Sequence, residues 1–202
     1  DVRRGQLFVP IVAERDGHDF VGDALATGAA AYLTSSREVF ERCGGTAILV
    51  RNTAEALIDA ASWARTLFPA STVVVGITGS NGKTTTKNML RAILSQVGPT
   101  VAPIESYNNE VGAPISVLKI DRDTRFLVAE LGAGGPGSIA YLTDIVKPDI
   151  AVELKVGLAH AGEFGGIEFT AKIKAELLEG SDASTVAVLN RDDVNVREMA
   201  TS

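Results

Sequence analysis

The hydrophobic period of this chain switches repeatedly. Short apolar runs bounded by Gly, Pro and Asp alternate with stretches in which apolar residues return every three or four positions, a pattern that predicts strands alternating with helices. Residues 7–13 predict a strand, and Asp16-Gly17-His18-Asp19 a turn into a helix reaching residue 27. A strand at 30–34, a short helix at 37–42 and a strand at 47–50 complete a small α/β module. Thr53 is placed to cap a helix whose Leu57, Ile58, Ala61, Ala64, Leu67 and Phe68 recur at helical spacing. Pro69 ends that helix, and a domain boundary is expected at 69–72, dividing the chain into 1–71 and 72–202.

Beyond Thr72 the pattern is plainer. Strands are predicted at 73–77, 100–102, 126–131, 149–154 and 185–189, with helices at 84–96, 112–119, 136–146 and 167–179. Such alternation implies a mostly parallel sheet with flanking helices, in which ligands sit beyond the carboxyl ends of the strands. The residues following each strand are therefore the ones to inspect for chemistry.

One strand end stands out. Val73-Val74-Val75-Gly76-Ile77-Thr78 runs into Gly79-Ser80-Asn81-Gly82-Lys83-Thr84-Thr85, and Lys87, Met89, Leu90, Ile93 and Leu94 continue as a helix. Glycines let successive backbone N–H groups approach phosphate oxygens, and a helix N-terminus adds about half a positive charge. The strict phosphate-loop pattern asks for Gly where Ile77 stands, so only its second half, in the expected strand-to-helix context, is present. On that reading Gly79 to Thr85 hold a nucleotide phosphate, Lys83 neutralises the outer phosphates and the Thr84 hydroxyl holds Mg²⁺.

Other strand ends add candidates. Glu130, before Gly132-Ala133-Gly134-Gly135, offers the hard oxygen donor that Mg²⁺ selects, alongside Thr84. His160 follows the strand at 149–154 and is placed to meet a second divalent ion or a phosphate, although an ordinary hydrogen-bonding role is open to it. Asn109 precedes a helix start and could touch phosphate, or serve a turn. His18 reads as part of a turn with a helix cap, and Asn190-Arg191-Asp192-Asp193 as a solvated turn. Local spacing alone makes Lys172 and Lys174 surface partners of Glu168, Glu176 and Glu179.

Composition narrows the classes. Of 202 residues, 46% are hydrophobic, ample for packed cores. Lys and Arg number 19 against 25 Asp and Glu, a formal charge of −6 with no basic block, which argues against nucleic acid or an anionic membrane as principal partner. The one cysteine, Cys43, excludes an intramolecular disulfide and fits a reducing cytoplasm. No apolar run reaches the ~18 residues of a membrane helix.

The segments T-G-S-N-G-K-T-T at 78–85, Y-N-N-E-V-G-A-P at 107–114, A-E-L-G-A at 129–133, V-G-L-A-H at 156–160, K-A-E-L at 174–177 and V-L-N-R-D-D at 188–193, in this order, resemble the Mur ligases, and L-F-V-P-I-V-A-E-R-D-G-H-D-F at 7–20 is similar to their first, substrate-binding domain. The resemblance implies an ATP-dependent amide ligase of peptidoglycan precursor synthesis, cytoplasmic and monomeric, with a UDP-substrate domain over 1–71 and a central ATP-binding domain over 72–202. Asn108-Asn109-Glu110 followed by Gly112 and Pro114 is most similar to the members that join D-Ala-D-Ala to UDP-MurNAc-tripeptide. Ligases for another amino acid, or for folate or cyanophycin precursors, and a catalytically silent nucleotide binder are the rival readings.

By the same resemblance, Lys83 stabilises phosphoryl-transfer charge, Thr84 and Glu130 hold Mg²⁺, and His160 helps bind a second metal. Asn109 contacts phosphate or substrate. Lys174 matches a lysine that CO₂ converts to a carbamate oriented toward the metal. The family often has Asn and Pro where Lys155 and Leu158 stand here. It also has a third, closing domain and an earlier first strand, so the chain is expected to be a fragment that does not complete catalysis alone.

Overall fold

The computed structural model describes residues 2–103, 108–157 and 166–200. It falls into two compact units, Asp1–Ala60 and Ala61–Ser202, with the division inside a helix at Thr53–Thr66, upstream of the expected 69–72.

In the first unit, β1 (Leu7–Phe8), β2 (Ala31–Thr34) and β3 (Ala47–Leu49) form a parallel sheet in the order β1-β2-β3. A 3₁₀ turn at Gly17–Phe20 leads into α1 (Val21–Thr27), and α2 (Arg37–Arg42) precedes β3. Val21, Tyr32 and Val39 make the core, with Phe8, Leu25, Cys43 and Ala47 packed against it. β1 is shorter than the apolar run at 7–13 predicts, because Pro10 lacks the N–H a continuing ladder requires. Asp16 caps the 3₁₀ turn, accepting from the backbone N–H of His18, and its carboxylate lies 2.6 Å from Nδ1 of the same residue.

The helix at Thr53–Thr66, α3, starts differently from expectation. Asn52 Oδ1 accepts from Ala54 N and Glu55 N and is the capping group. Thr53 is buried and donates its hydroxyl to the carbonyl of Pro10.

The second unit holds a five-stranded sheet in the order β5-β6-β4-β7-β8, made of β4 (Val73–Thr78), β5 (Thr100–Val101), β6 (Phe126–Glu130), β7 (Ile150–Glu153) and β8 (Val186–Leu189). All four pairings are parallel. Its helices among the described residues are α4 (Lys83–Leu94), α5 (Gly112–Val117), α6 (Ser138–Val146), α7 (Ile167–Glu179) and α8 (Val194–Met199). Leu90 and Leu94 of α4 cover one face of the sheet at Val75, Ile77 and Val128. Successive strand residues alternate faces, so Val74, Leu127 and Ala129, also buried, serve the other. After β4 the chain builds β5 and β6 on one side, then crosses to place β7 and β8 on the other. β4 is thus the point where strand order reverses, and its carboxyl end opens between two neighbours as a ligand crevice does in this kind of sheet.

Candidate active site at the carboxyl end of the central strand

Parallel register brings three strand ends level. Ile77 stands beside Glu130 of β6 on one side, and Thr78 beside Glu153 of β7 on the other. The glycine loop leaves β4 between these carboxylates. Gly79 has φ +148°, and a Cβ there would lie 2.9 Å from Leu154 Cβ and 3.2 Å from the backbone N of Lys155, so only glycine fits. Gly82, at φ +88°, turns the chain into α4 and gives it no side-chain cap. That start therefore presents its first N–H groups without a capping oxygen, an arrangement suited to anions.

Lys83 Nζ donates to Gly79 O at 2.7 Å, closing the loop on itself. Desolvation pulls the Lys83 pKa below the ordinary lysine value, against the opposing pull of Glu130 and Glu153. Thr84 Oγ1 donates to Glu130 Oε2 at 3.2 Å. The other Glu130 oxygen forms an ion pair with Lys87 Nζ at 2.9 Å; both side chains are 1% exposed. Hydroxyl and carboxylate together form the oxygen donor set that suits Mg²⁺. Among the described residues no three His, Cys, Asp or Glu side chains gather as a metal site.

Ser80 turns away from the cradle. Its N–H donates to Lys155 O at 2.7 Å, its hydroxyl donates to Gly157 O at 3.2 Å, and Gly157 N donates back to that hydroxyl at 2.8 Å. The same segment is held from its far side: Asn190 Nδ2 donates to Leu154 O at 2.8 Å and Val156 N donates to Asp193 Oδ2 at 3.3 Å. The turn at 190–193, expected to be merely solvated, thus anchors the strand-to-loop passage after β7. Asp193 Oδ1 also caps α8, a helix that the apolar pattern did not announce.

Lys174 is buried on α7, 3% exposed, which overturns the surface-pair reading drawn from spacing. Desolvation pulls its pKa down to about 8, opposed by Glu153. Glu153 itself is 1% exposed and neither carboxylate oxygen has a hydrogen-bond partner. Burial pushes its pKa up to about 8 against the attraction of Lys174 and Lys83. The sequence reading passed over Glu153; its one signal was a charged residue closing an apolar strand.

Asn109 Oδ1 accepts from Gly112 N at 2.9 Å and Val111 N at 3.3 Å, so it serves the start of α5. Beside it, Gly132 N donates to Asn108 O at 2.7 Å, tying this turn to the loop after Glu130. Asn81 on the phosphate loop and Thr85 in the first turn of α4 are exposed. His160 lies outside the described residues. A cavity lined by Arg65, Lys147, Asp149 and Thr185 opens at the amino end of the sheet and shares no residue with this loop.

A parallel sheet with a glycine loop at the reversal of strand order, a lysine at the helix start and a Thr–Glu oxygen pair beside it define a nucleotide-binding α/β domain. Residues 77–202 match the Mur ligase middle domain, and the chain belongs to the Mur ligase family. It is 38% identical to the UDP-N-acetylmuramoyl-tripeptide–D-alanyl-D-alanine ligase of Mycobacterium leprae, over 97% of this chain and 42% of that protein. Among solved structures it resembles MurF from Acinetobacter baumannii, with a TM-score of 0.87, 32% identity and coverage of 99% of this chain and 44% of that one. MurF from Thermotoga maritima in complex with ADP aligns with a TM-score of 0.81 and 36% identity, over 98% of this chain and 45% of that one. The chain therefore spans less than half the length of these relatives. Among the described residues no helix is long and apolar enough to cross a membrane.

Proposed function

We propose that this chain carries the UDP-substrate and ATP-binding parts of a cytoplasmic ligase that joins D-Ala-D-Ala to UDP-MurNAc-tripeptide. The observation that carries the reading is the junction of β4, β6 and β7, where the glycine loop, Lys83, Thr84 and Glu130 converge. The likeness to relatives named for that reaction supplies its substrates.

In this reading the γ-phosphoryl group of ATP passes to a terminal carboxylate oxygen of the tripeptide and ADP departs. The D-Ala-D-Ala amine then attacks the acyl carbon, a C–N bond forms, phosphate leaves with the acyl oxygen, and the amine gives up its proton. Phosphoryl transfer asks mainly for positioning and charge stabilisation. Lys83 releases Gly79 O to meet the outer phosphates, and the α4 N-terminus holds the inner ones. Thr84 and Glu130 would hold Mg²⁺, which would supply Lewis-acid charge neutralisation; His160 would help hold a second metal, and Asn109 would contact phosphate or substrate. Lys174 would act as its CO₂-derived carbamate, an anion that would help orient the metal. Support for that role comes from its burial and lowered pKa, which raise the share of neutral amine able to react with CO₂. The working unit is a monomer.

The test is phosphate release by the whole gene product with MgATP, offering UDP-MurNAc-tripeptide with D-Ala-D-Ala against single amino acids and folate substrates. Release that needs both tripeptide and dipeptide is expected. Release with another pair reassigns the substrate, and none from folded, ATP-binding protein leaves a silent nucleotide binder.

A further inference from the structure

One side chain of the helix that carries Lys174, Glu176, reaches the end of the loop after Glu130 and the start of α6. Glu176 Oε1 accepts from Gly137 N at 2.7 Å, and Oε2 accepts from Ile139 N at 3.1 Å and Ala140 N at 3.2 Å. These N–H groups open α6, whose N-cap, Gly137, has a left-handed backbone at φ +81° and no side chain to offer. A carboxylate at a helix N-terminus satisfies orphan donors and meets the positive end of the helix dipole. Glu176 is therefore the cap of α6, supplied from another helix. Upstream, Gly134 N and Gly135 N both donate to Ser138 Oγ, so the glycine run leading from Glu130 to α6 is closed onto the same helix start.

The location matters because of what α7 buries. Thr170, Ile173, Lys174 and Leu177 form its inward stripe. At 100° per residue Glu176 falls on the flank of that stripe, beside Ile173 and away from Lys174. Hydrophobic contact at Ile173 and Leu177 tolerates some rotation about the helix axis, whereas three directional bonds from one flank do not. We propose that Glu176 is a positioning residue that fixes the rotation of α7 and so holds Lys174 on its buried, inward stripe. The placement of Lys174 stands on geometry alone; that the held amine serves ligation rests on the reading under Proposed function.

Lysine labelling tests this directly. Residues 1–202 are treated with an amine-acetylating reagent and the rate at each lysine is read by mass spectrometry. Lys174 and Lys87 are both buried in the second unit, so general loosening would raise both rates together. In E176A the Lys174 rate is expected to rise about tenfold or more relative to Lys87, the scale of losing charge-assisted bonds at one locally opening element. E176Q, which keeps one carbonyl acceptor for these N–H groups, is expected to fall between and covers the case in which E176A folds poorly. An unchanged Lys174 to Lys87 ratio in both variants, or a rise shared equally by the two lysines, overturns the proposal. MgATP affinity measured on the same proteins is separate: a wild-type chain that fails to bind nucleotide counts against the proposed function and leaves the labelling result standing.

Discussion

Lys87 Nζ and Glu130 Oε1 meet at 2.9 Å with each side chain 1% exposed, which makes them a buried ion pair directly beneath the phosphate loop. Thr84, one turn before Lys87 on α4, reaches the other oxygen of the same carboxylate. One glutamate thus joins the helix that receives phosphate to the strand beside it, and α4 cannot shift without disturbing the oxygen pair suited to a cation.

Removing one partner of a buried pair leaves the other uncompensated, at a cost of about 3–5 kcal/mol, whereas removing both charges is far milder. K87M is expected to destabilise the second unit on that scale, and K87M/E130Q to recover most of the loss. Denaturant unfolding followed by circular dichroism measures both. A K87M loss below about 1 kcal/mol would show that the pair contributes little to stability.

Glu153 predicts a pH effect with a definite sign. Its folded pKa is raised from 4.5 to about 8, so between those values the folded chain keeps a proton that the unfolded chain has released. Stability from this group is complete below pH 4.5 and declines as pH rises toward 8, by at most about 1.4 kcal/mol per pH unit. E153Q removes the titration, so the difference in unfolding free energy between wild type and E153Q should slope across that window and level off above it. A flat difference would mean that the carboxylate finds a partner in solution.

Gly79 should not accept a side chain. The Cβ of G79A would press on Leu154 and on the backbone of Lys155 at a φ that L-residues rarely adopt. A loss of about 1–3 kcal/mol is expected, together with weaker MgADP binding because the loop would be displaced from β7. Wild-type stability and affinity in G79A would show that the loop yields easily.

S80A tests the clasp between the phosphate loop and the segment after β7. It removes the reciprocal bonds with Gly157 and should cost about 1–2 kcal/mol. Faster hydrogen exchange is expected at Gly157 N than at Val156 N, which Asp193 still holds. Equal acceleration at both amides would argue against separate anchors.

Much of the second unit was legible because a central parallel strand announces itself as a continuous apolar run, and glycines at its end have few other uses. The same logic of strand ends found Glu130. Lys174 was not legible from spacing: a lysine among glutamates on a helix reads as a solvated face, and only family resemblance indicated that it turns inward. Glu153 was passed over, and Glu176 was read as a surface partner, for a different reason. Each acts on residues distant in sequence, Glu153 through a crossover to β4 and Glu176 through the close approach of α6 and α7, so a charge closing an apolar strand and a glutamate spaced for surface pairing do not reveal what either one meets. Asn52 and Thr53 show the limit at helix starts, where two adjacent residues are both good caps and tertiary contact with Pro10 decides between them.

The most direct test of the account is a calorimetric titration of residues 1–202 with ADP, with and without Mg²⁺, repeated for K83A and T84A. The account predicts saturable binding that Mg²⁺ strengthens, reduced about tenfold or more in K83A, with the Mg²⁺ dependence diminished in T84A. Binding that ignores both substitutions, or no binding by the folded chain, would contradict a nucleotide site at the end of β4.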